Sequence, residues 1–276
     1  MTAASRYSPK EAIKLLRQVA ELLSRRRVFR RRFPAKYGSA QLYVTPECGL
    51  RYLRGNLESV DPMLLDLAAE LVQPGAVVWD VGANLGLFSF AAAGLAGVDG
   101  QIFALEPDTY LVGLLRRSAR LKNAHAAPVN VIPCAVADTM SLATFHIVQR
   151  ARAANYLAGH GASQTGGVRE TQRVLTITLD WLATQIPTPD VIKIDVEGAD
   201  LRVLYGAEEL LRAKKPDLVC EVYEAIADDF TAFLSDLGYT LFDGNVPRET
   251  RRPISRAVYS TLAISKHKAS LHRKSI

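Results

Sequence analysis

The sequence predicts an α/β fold: a mostly parallel seven-stranded sheet with helices on both faces and an antiparallel C-terminal strand. Between about residues 61 and 265, short apolar runs alternate with longer segments of helical periodicity. The apolar runs are nearly continuous, which is typical of parallel strands buried on both faces. A turn with two glycines, residues 82–86 (GANLG), joins the first run to a helix, as in α/β domains that bind small anionic ligands. The 276 residues suffice for one such domain with extensions.

Residues 1–60 are predicted to form an N-terminal extension. Ser8-Pro9 offers an N-cap and a first-turn proline, and apolar residues three to four apart predict a basic amphipathic helix from Ser8 to about Arg32. Packing on the domain or on a second subunit is the favoured role of this helix, and peripheral membrane contact through residues 9–36 is the alternative. Residues 41–53 (QLYVTPECGLRYL) are compatible with a hairpin.

Residues 61–265 are predicted to form the domain, one element after another. Asp61-Pro62 begins a helix that runs through Leu71, before a Gln-Pro-Gly turn. The patterns predict strands at 76–81, 101–105, 129–135, 141–148, 191–195, 218–222, 240–242 and 257–265, and helices at 84–95, 108–121, 199–212 and 224–237. Residues 150–173, rich in small and polar residues, predict a long loop, and residues 174–182 (VLTITLDWL) a strand and a short helix.

The net charge of +6 is concentrated in two arms. Residues 25–36 hold seven basic residues and no acid, and the C-terminal tail, residues 266–276, holds four more. Without these arms the chain carries a formal charge of −5. Basic arms bind nucleic acid, anionic lipid or acidic substrates, or simply keep the surface solvated, and the sequence leaves these roles open.

Cysteine usage and hydropathy bear on the compartment. Cys48, Cys134 and Cys220 lie far apart and match neither a zinc site nor a disulfide framework, which favours a reducing compartment. The first residues lack the apolar region of a signal peptide, and no apolar run reaches the roughly 18 residues of a transmembrane helix. We therefore expect a cytoplasmic protein, with peripheral contact to a membrane left open.

The glycine turn favours one class of ligand. The dinucleotide pattern G-x-G-x-x-G would need glycines where this chain has Asn84 and Leu87, and the lysine of an ATP-binding P-loop is absent. S-adenosylmethionine (SAM) fits better. Backbone N–H groups at the helix start can bind its carboxylate, and Asp80 at the strand end can bind its ammonium group. Gly82 lets the backbone pass beside the ligand, and Gly86 keeps the turn tight.

The next two strand ends extend the predicted SAM site. Glu106, in FALEPD, can bind both ribose hydroxyls, as acids do at this place in nucleotide-binding folds. The alternative for Glu106 is to cap the helix that begins at Pro107. The third strand ends in PCAVAD, where the backbone of Val136 and the side chain of Asp138 are candidates to contact adenine. For Asp138, a turn that opens a hairpin is an equal alternative.

The segment DVIKIDVEGAD, residues 190–200, predicts a second group of site residues. Lys193, Asp195 and Glu197 share one face of a strand by its two-residue period, although apolar neighbours mark that strand as buried. Charged residues are rarely buried without a partner, so this face predicts a site, with an internal ion pair as the alternative. Glu221, in LVCEVYE on the neighbouring strand, is expected to join the same edge.

In this order, VWDVGANLGLFS, ALEPD, TLDWL, VIKIDVEGADLRVLYGA and PDLVCEV resemble the FkbM family of SAM-dependent methyltransferases. The resemblance runs from about Val77 to Val222. It implies a class I, Rossmann-like methyltransferase that methylates a hydroxyl oxygen of a sugar or natural product. By the same resemblance the SAM site comprises Asp80, Gly82, Asn84, Gly86 and Glu106, and the acceptor side comprises Asp195, Glu197 and Glu221.

Methyl transfer to an alcohol requires alignment of the acceptor and removal of its proton. Asp195 and Glu197 are the candidate bases, with Lys193 beside them, and His160 in the long loop is a weaker candidate. A metal ion is not expected, although Asp195 with Glu221 offers two of the carboxylates that Mg²⁺ prefers.

Two rival functions follow from the basic arms. A nucleic-acid methyltransferase would use them to bind phosphates, but the strand end lacks the Asn/Asp-Pro-Pro-aromatic pattern that usually accompanies base methylation, and the basic run lacks a series of stacking aromatics. Nucleic acid is therefore a disfavoured partner, and a small-molecule or glycan acceptor is expected. The other rival is a non-catalytic domain that binds SAM or docks on membranes.

Overall fold

The computed structural model describes residues 27–149, 152–159 and 167–265. Its strands are β1 Phe29–Arg32, β2 Gln41–Val44, β3 Val77–Val81, β4 Gln101–Leu105, β5 Val129–Ile132, β6 Ala135–Val136, β7 Ser141–Val148, β8 Tyr156–Leu157, β9 Val168–Ile177, β10 Val191–Ile194, β11 Asp217–Glu221, β12 Tyr239–Asp243, β13 Pro253–Ile254 and β14 Ser260–Ser265. Its α-helices are α1 Pro62–Leu71, α2 Leu87–Ala96, α3 Thr109–Ala119, α4 Leu179–Leu182, α5 Asp200–Tyr205, α6 Glu208–Lys214 and α7 Ala227–Asp236.

The main sheet has the strand order β13-β12-β14-β11-β10-β3-β4-β5. The five strands from β11 to β5 are parallel, and β14 joins β11 antiparallel. The predicted α/β fold and its antiparallel C-terminal strand are thus confirmed. The sheet has eight strands rather than seven, because the two residues of β13 add an edge strand beside β12.

Alternate residues of the central strands pack on opposite faces of this sheet. Trp79 faces a core formed with the helices α5, α6 and α7. Its neighbour Val78 faces a core formed with α1 and α2, and α3 closes the same side farther along the sheet. Helices therefore cover both faces, as the nearly continuous apolar runs predict. None of the helices in the described ranges has the length and hydropathy that crossing a bilayer requires.

Several predicted elements end elsewhere in the structure, each for a local reason. The helix predicted from Asn84 begins at Leu87, because Asn84 and Gly86 adopt positive φ angles of 53° and 85°. The helix predicted at 199–212 divides into α5 and α6 at Gly206, where an added Cβ would lie 2.3 Å from the Ala137 carbonyl oxygen. The strand predicted at 129–135 splits, because β6 leaves the main sheet to pair with β9.

The predicted long loop, residues 150–173, is partly a strand. The strand β9 begins at Val168 and pairs antiparallel with β7, in a second sheet of order β6-β9-β7-β8. Its first residues are exposed and polar, so they carry no apolar period that would have revealed a strand. His160 lies outside the described residues.

The predicted N-terminal helix is wrong at its C-terminal end. Phe29–Arg32 forms the strand β1, which pairs antiparallel with β2. The hairpin thus joins Phe29–Arg32 to Gln41–Val44, and the rest of the predicted hairpin, up to Leu53, forms 3-10 turns. The strand alternates between half-buried and exposed residues, so its arginines mask a two-residue period. Residues 8–26 of that helix lie outside the described residues.

The described part of the N-terminal segment packs directly on the domain. Phe33, Tyr37 and Leu42 are buried in one core with Leu85 and Phe90 of the glycine turn and α2. At the centre of this contact Gly38 meets Gly94 of α2, and a Cβ added at Gly94 would lie 2.0 Å from the carbonyl oxygen of Tyr37. Close backbone contact at this point depends on the absence of a side chain.

We expect Gly94→Ala to lower the free energy of unfolding by about 2 kcal/mol, because the added methyl group separates α2 from the N-terminal segment. Gly113→Ala is the matched control, since Gly113 is also helical but has no atom within 4 Å of an added Cβ. The control should gain up to about 1 kcal/mol from better helix propensity. Urea unfolding of both variants checks this, and equal stabilities would contradict it.

Candidate active site

A cleft of about 550 Å³, measured together with its open mouth, lies at the carboxyl ends of β3, β4 and β10. It is lined by Gly82, Asn84, Glu106, Pro107, Leu111, Cys134, Ala135, Val136, Phe145, Arg152, Ala153, Asn155, Leu157, Asp195, Val196 and Glu197. The two predicted groups of site residues therefore meet in one cleft. This is the position at which open α/β sheets bind ligands.

Gly82 brings the end of β3 against the end of β10. Its φ is +74°, and a Cβ added there would lie 1.9 Å from the backbone carbonyl oxygen of Asp195. The adjacent turn is also tight, because a Cβ at Gly86 would lie 2.8 Å from side-chain atoms of Leu115 and Phe90. Both positions therefore require glycine. Gly86 keeps the turn tight although it is not among the described residues that line the cleft, and the predicted passage of the Gly82 backbone beside a ligand stays a prediction.

The buried side chain of Lys193 links the ends of β3 and β10. Its Nζ donates to the carbonyl oxygen of Gly82 at 2.7 Å and lies 3.4 Å from Asp80 Oδ1 and 3.3 Å from Asp195 Oδ2. Burial alone would lower the pKa of Lys193, but the Asp195 and Asp80 carboxylates outweigh it and hold the pKa above its usual value. The ammonium group therefore stays charged and orients the acids on either side.

Asp80 lies beneath the cleft rather than on its wall. The residue is fully buried, and its Oδ2 accepts hydrogen bonds from the backbone N–H of Ser89, at 3.1 Å, and from the Ser89 hydroxyl. Asp80 is not among the described residues that line the cleft. Sequence reasoning missed Ser89, the third residue of α2. Its backbone N–H and hydroxyl donate to Asp80, so that the acid caps the start of this helix.

Glu106 lies beside the glycine turn, on the same wall of the cleft. It accepts hydrogen bonds from the backbone N–H groups of Asn84 and Asp108, both at 2.8 Å. Burial raises the pKa of Glu106 to about 8, although these two hydrogen bonds act to lower it. The buried Oδ1 of Asn84 has no hydrogen-bond partner among the described residues. A ligand that donates hydrogen bonds would satisfy both side chains.

The two residues predicted to contact adenine are separated in the structure. Val136 lines the cleft, but Asp138 is not among the described lining residues. The carboxylate of Asp138 instead pairs with the guanidinium of Arg202, which holds the pKa of Asp138 below its usual value. The alternative prediction for Asp138, a turn that opens a hairpin, is compatible with its position between β6 and β7.

One side of the cleft is closed by residues 152–157, within the predicted long loop, although the sequence did not single out any of these residues. Arg152 pairs with the buried carboxylate of Asp108 and, at 3.1 Å, with Glu47 of the N-terminal segment. Asn155 donates to Asp108 at 2.9 Å and accepts from the backbone of Val148 at 3.0 Å. Because Asp108 also donates its backbone N–H to Glu106, this ion-pair network reaches the predicted ribose contact.

An acidic edge, defined as Asp195, Glu197 and Glu221, lies at the ends of β10 and β11. The hydroxyl of Tyr223 donates to Glu197 at 2.6 Å, and the hydroxyl of Tyr259 donates to Glu221. Burial, followed by the charge of Asp195, raises the pKa of Glu197 to about 7 and that of Glu221 to about 8. These carboxyls are therefore able to exchange protons near neutral pH.

Glu197 and Glu221 differ in their access to the cleft. Asp195 and Glu197 line it, whereas Glu221 is not among the described lining residues. Within the described ranges, no three His, Cys, Asp or Glu side chains are grouped to hold a metal ion. The three carboxyls of the acidic edge thus lie together, as expected. The sequence missed the two tyrosines bound to them, because neither tyrosine belongs to a recognisable motif.

Comparison with known proteins supports the resemblance that the motifs carry. The methyltransferase FkbM domain family matches residues 80–241, which is more than half of the chain. The chain belongs to the FkbM methyltransferase family. Hexuronic acid methyltransferase AglP of Haloferax volcanii is 30% identical to it over 190 residues, a match that covers 68% of this chain and 71% of that protein.

Solved structures resemble this FkbM methyltransferase more distantly. The methyltransferase FkbM of Methylobacillus flagellatus matches with a TM-score of 0.45 and 15% identity over 72% of this chain, which spans half of the length of that protein. Precorrin-6y C5,15-methyltransferase of Geobacter metallireducens matches with a TM-score of 0.43 and 17% identity, over 73% of this chain and 88% of that one.

We expect Lys193→Met to lower the free energy of unfolding of this FkbM methyltransferase by about 3 kcal/mol or more, because it leaves Asp80 buried without a cation. Adding Asp80→Asn should recover part of that loss. Arg212→Met, which breaks the exposed pair of Arg212 with Glu208, is the control and should cost about 0.5 kcal/mol or less. Denaturant unfolding measures all three, and equal losses in the two single variants would contradict the buried linkage.

Proposed function

We propose that this chain transfers the methyl group of SAM to a hydroxyl oxygen of a sugar-containing acceptor. The observation that carries the proposal is one cleft with two chemically different walls. One wall holds the glycine turn with Glu106, and the other holds the carboxyls of Asp195 and Glu197. The family membership supports methyl transfer by SAM, and the two walls supply a donor side and an acceptor side.

The donor side suits the polar groups of SAM. Glu106 is placed to accept hydrogen bonds from ribose hydroxyls, and the unpaired Oδ1 of Asn84 offers an acceptor for the ammonium group or for a hydroxyl. Val136 contributes apolar surface for adenine. Asp80 is buried under the glycine turn, and its contact with the ammonium group of SAM stays a prediction. When bound, SAM supplies an electrophilic methyl group on a sulfonium.

The acceptor side suits an alcohol. A hydroxyl proton has to leave as the new C–O bond forms, and a carboxyl whose pKa lies near the working pH is an effective base. Asp195 and Glu197 line the cleft together, so both are placed to contact the acceptor. The charged Lys193 fixes the orientation of Asp195 through their 3.3 Å ion pair. Lys193 is therefore proposed as a positioning residue rather than as a base.

The similarity to a hexuronic acid methyltransferase supports a sugar as the acceptor. A direct test incubates the protein with SAM labelled in its methyl group and a panel of p-nitrophenyl glycosides, including the glucuronide and the glucoside. Label in the glycoside fraction is the expected result. Absence of transfer to every member, or transfer to RNA alone, would overturn the sugar acceptor.

We expect Glu106→Ala to raise the dissociation constant for SAM about tenfold or more, because the variant loses hydrogen bonds to both ribose hydroxyls, each of which contributes about 1 kcal/mol. Glu208→Ala, at an exposed position of α6, is the control and should leave the constant unchanged. Titration calorimetry with SAM measures both variants. An unchanged constant in folded Glu106→Ala would remove the ribose contact from the proposal.

We expect Asp195→Asn to lower kcat about 100-fold and to change the dissociation constant for SAM little, because Asp195 lies on the acceptor wall. The glycoside assay gives kcat, and calorimetry with SAM gives the dissociation constant. Full turnover in the variant would remove Asp195 from the mechanism. A loss of SAM affinity equal to that of Glu106→Ala would instead place Asp195 on the donor side.

A further inference from the structure

We propose that Glu197 is the general base and that the Tyr223 hydroxyl is the group that positions it. This inference rests on the proposed function. It assigns removal of the hydroxyl proton to one of the three carboxyls of the acidic edge. It also gives a role to a tyrosine that follows β11 and that no motif predicts.

The contacts of the three carboxyls distinguish them. Asp195 is already engaged in an ion pair, because its Oδ2 lies 3.3 Å from the buried ammonium group of Lys193. Glu221 is not among the described residues that line the cleft. Glu197 lines the cleft and has no ion pair with a described residue. Glu197 therefore combines access to the cleft with a carboxyl that forms no ion pair with a described residue.

The backbone holds Glu197 in an unusual conformation. Its φ is +56°, a region that non-glycine residues rarely adopt. The fully buried carboxylate of Asp200 accepts from the backbone N–H groups of Val196, at 3.2 Å, and Gly198, at 3.1 Å, and so fixes the turn on both sides of Glu197. The surrounding structure thus imposes a strained turn that aims this side chain into the cleft.

Tyr223 completes the placement from the neighbouring strand. Its hydroxyl donates to Oε2 of Glu197 at 2.6 Å, which leaves Oε1 available to an acceptor hydroxyl. The ring of Tyr223 is held edge-on to that of Tyr259, with 6.0 Å between the ring centroids. Tyr259 in turn donates to Glu221, so the two tyrosines bind different carboxyls and can be compared as a matched pair.

The charges around Glu197 come from several elements. Asp195 and Asp200 lie on its own turn, Lys193 on β10, and Glu221 and Tyr223 on or just after β11. Burial and Asp195 raise the pKa of Glu197 to about 7, whereas the hydrogen bond from Tyr223 lowers it. Loss of that hydrogen bond should therefore move the titration of Glu197 to higher pH.

The proposed step balances in protons and electrons. The acceptor oxygen gives its proton to Oε1 of Glu197 as a lone pair of that oxygen forms the new C–O bond. The C–S bond breaks, and its electron pair leaves with the sulfur, which becomes a neutral thioether. Glu197 ends the step protonated and then releases the proton to solvent.

The test is the pH dependence of kcat/KM, measured with the glycoside of the panel that the wild type methylates best. The wild-type rate should rise through a limb near pH 7. Tyr223→Phe should move this limb about one unit toward higher pH, which lowers the rate about tenfold at pH 6 and little at pH 9. Tyr259→Phe is the matched control, with a smaller shift. Glu197→Gln should remove the limb and lower kcat at least about 100-fold.

The outcomes separate this inference from the proposed function. A larger shift in Tyr259→Phe than in Tyr223→Phe, or no shift in either, would overturn the assignment, and so would a limb that survives in Glu197→Gln. In each of these cases the wild type still methylates the glycoside, so the proposed function stands. A wild type that methylates no glycoside would overturn both. Thermal unfolding and SAM affinity, unchanged in the two tyrosine variants, exclude a general loss of structure.

Discussion

The buried ammonium group of Lys193 is the interaction on which the rest of the site depends. It binds the carbonyl of Gly82 and lies between the carboxylates of Asp80 and Asp195. One cation thereby joins the glycine turn to the acidic edge. A buried ion cluster contributes little net stability compared with apolar residues in place of all its members, although loss of one member is costly, so we interpret this cluster as fixing geometry. Because the cation lies between β3 and β10, it joins the two strand ends that line the cleft.

The topology of the sheet places that cation between β3 and β10, where the order in which strands are added to the sheet reverses. From β3 the chain continues outward to β4 and β5, and it later returns to build β10 and β11 on the other side of β3. The loops after β3 and β10 therefore diverge and leave a crevice at their carboxyl ends. Gly82 permits the two strand ends to touch at the base of this crevice. Its walls then come from sequence segments more than a hundred residues apart.

Much of this arrangement follows from the sequence, because the strands that form it are short, apolar and buried. Such strands fix the positions of Asp80, Glu106 and Asp195 at neighbouring ends of one sheet. The failures have physical causes. In Phe29–Arg32 and at the start of β9, exposed polar residues hide the two-residue period of a strand. Asp138 forms an ion pair with Arg202, and no local sequence pattern encodes such a long-range pair. Arg152, Tyr223 and Tyr259 escaped notice because tertiary contacts alone bring them to the cleft.

The contact of Glu47 with Arg152 has a wider consequence. Glu47 precedes the region that matches the family, yet its carboxylate holds the arginine whose other partner, Asp108, supports Glu106. The N-terminal segment is thus linked through Arg152 and Asp108 to Glu106, the residue proposed to contact the ribose. Under the proposed function, exchanging this segment between relatives would change the support of Glu106. Such chimeras would then bind SAM differently even when every motif residue is retained.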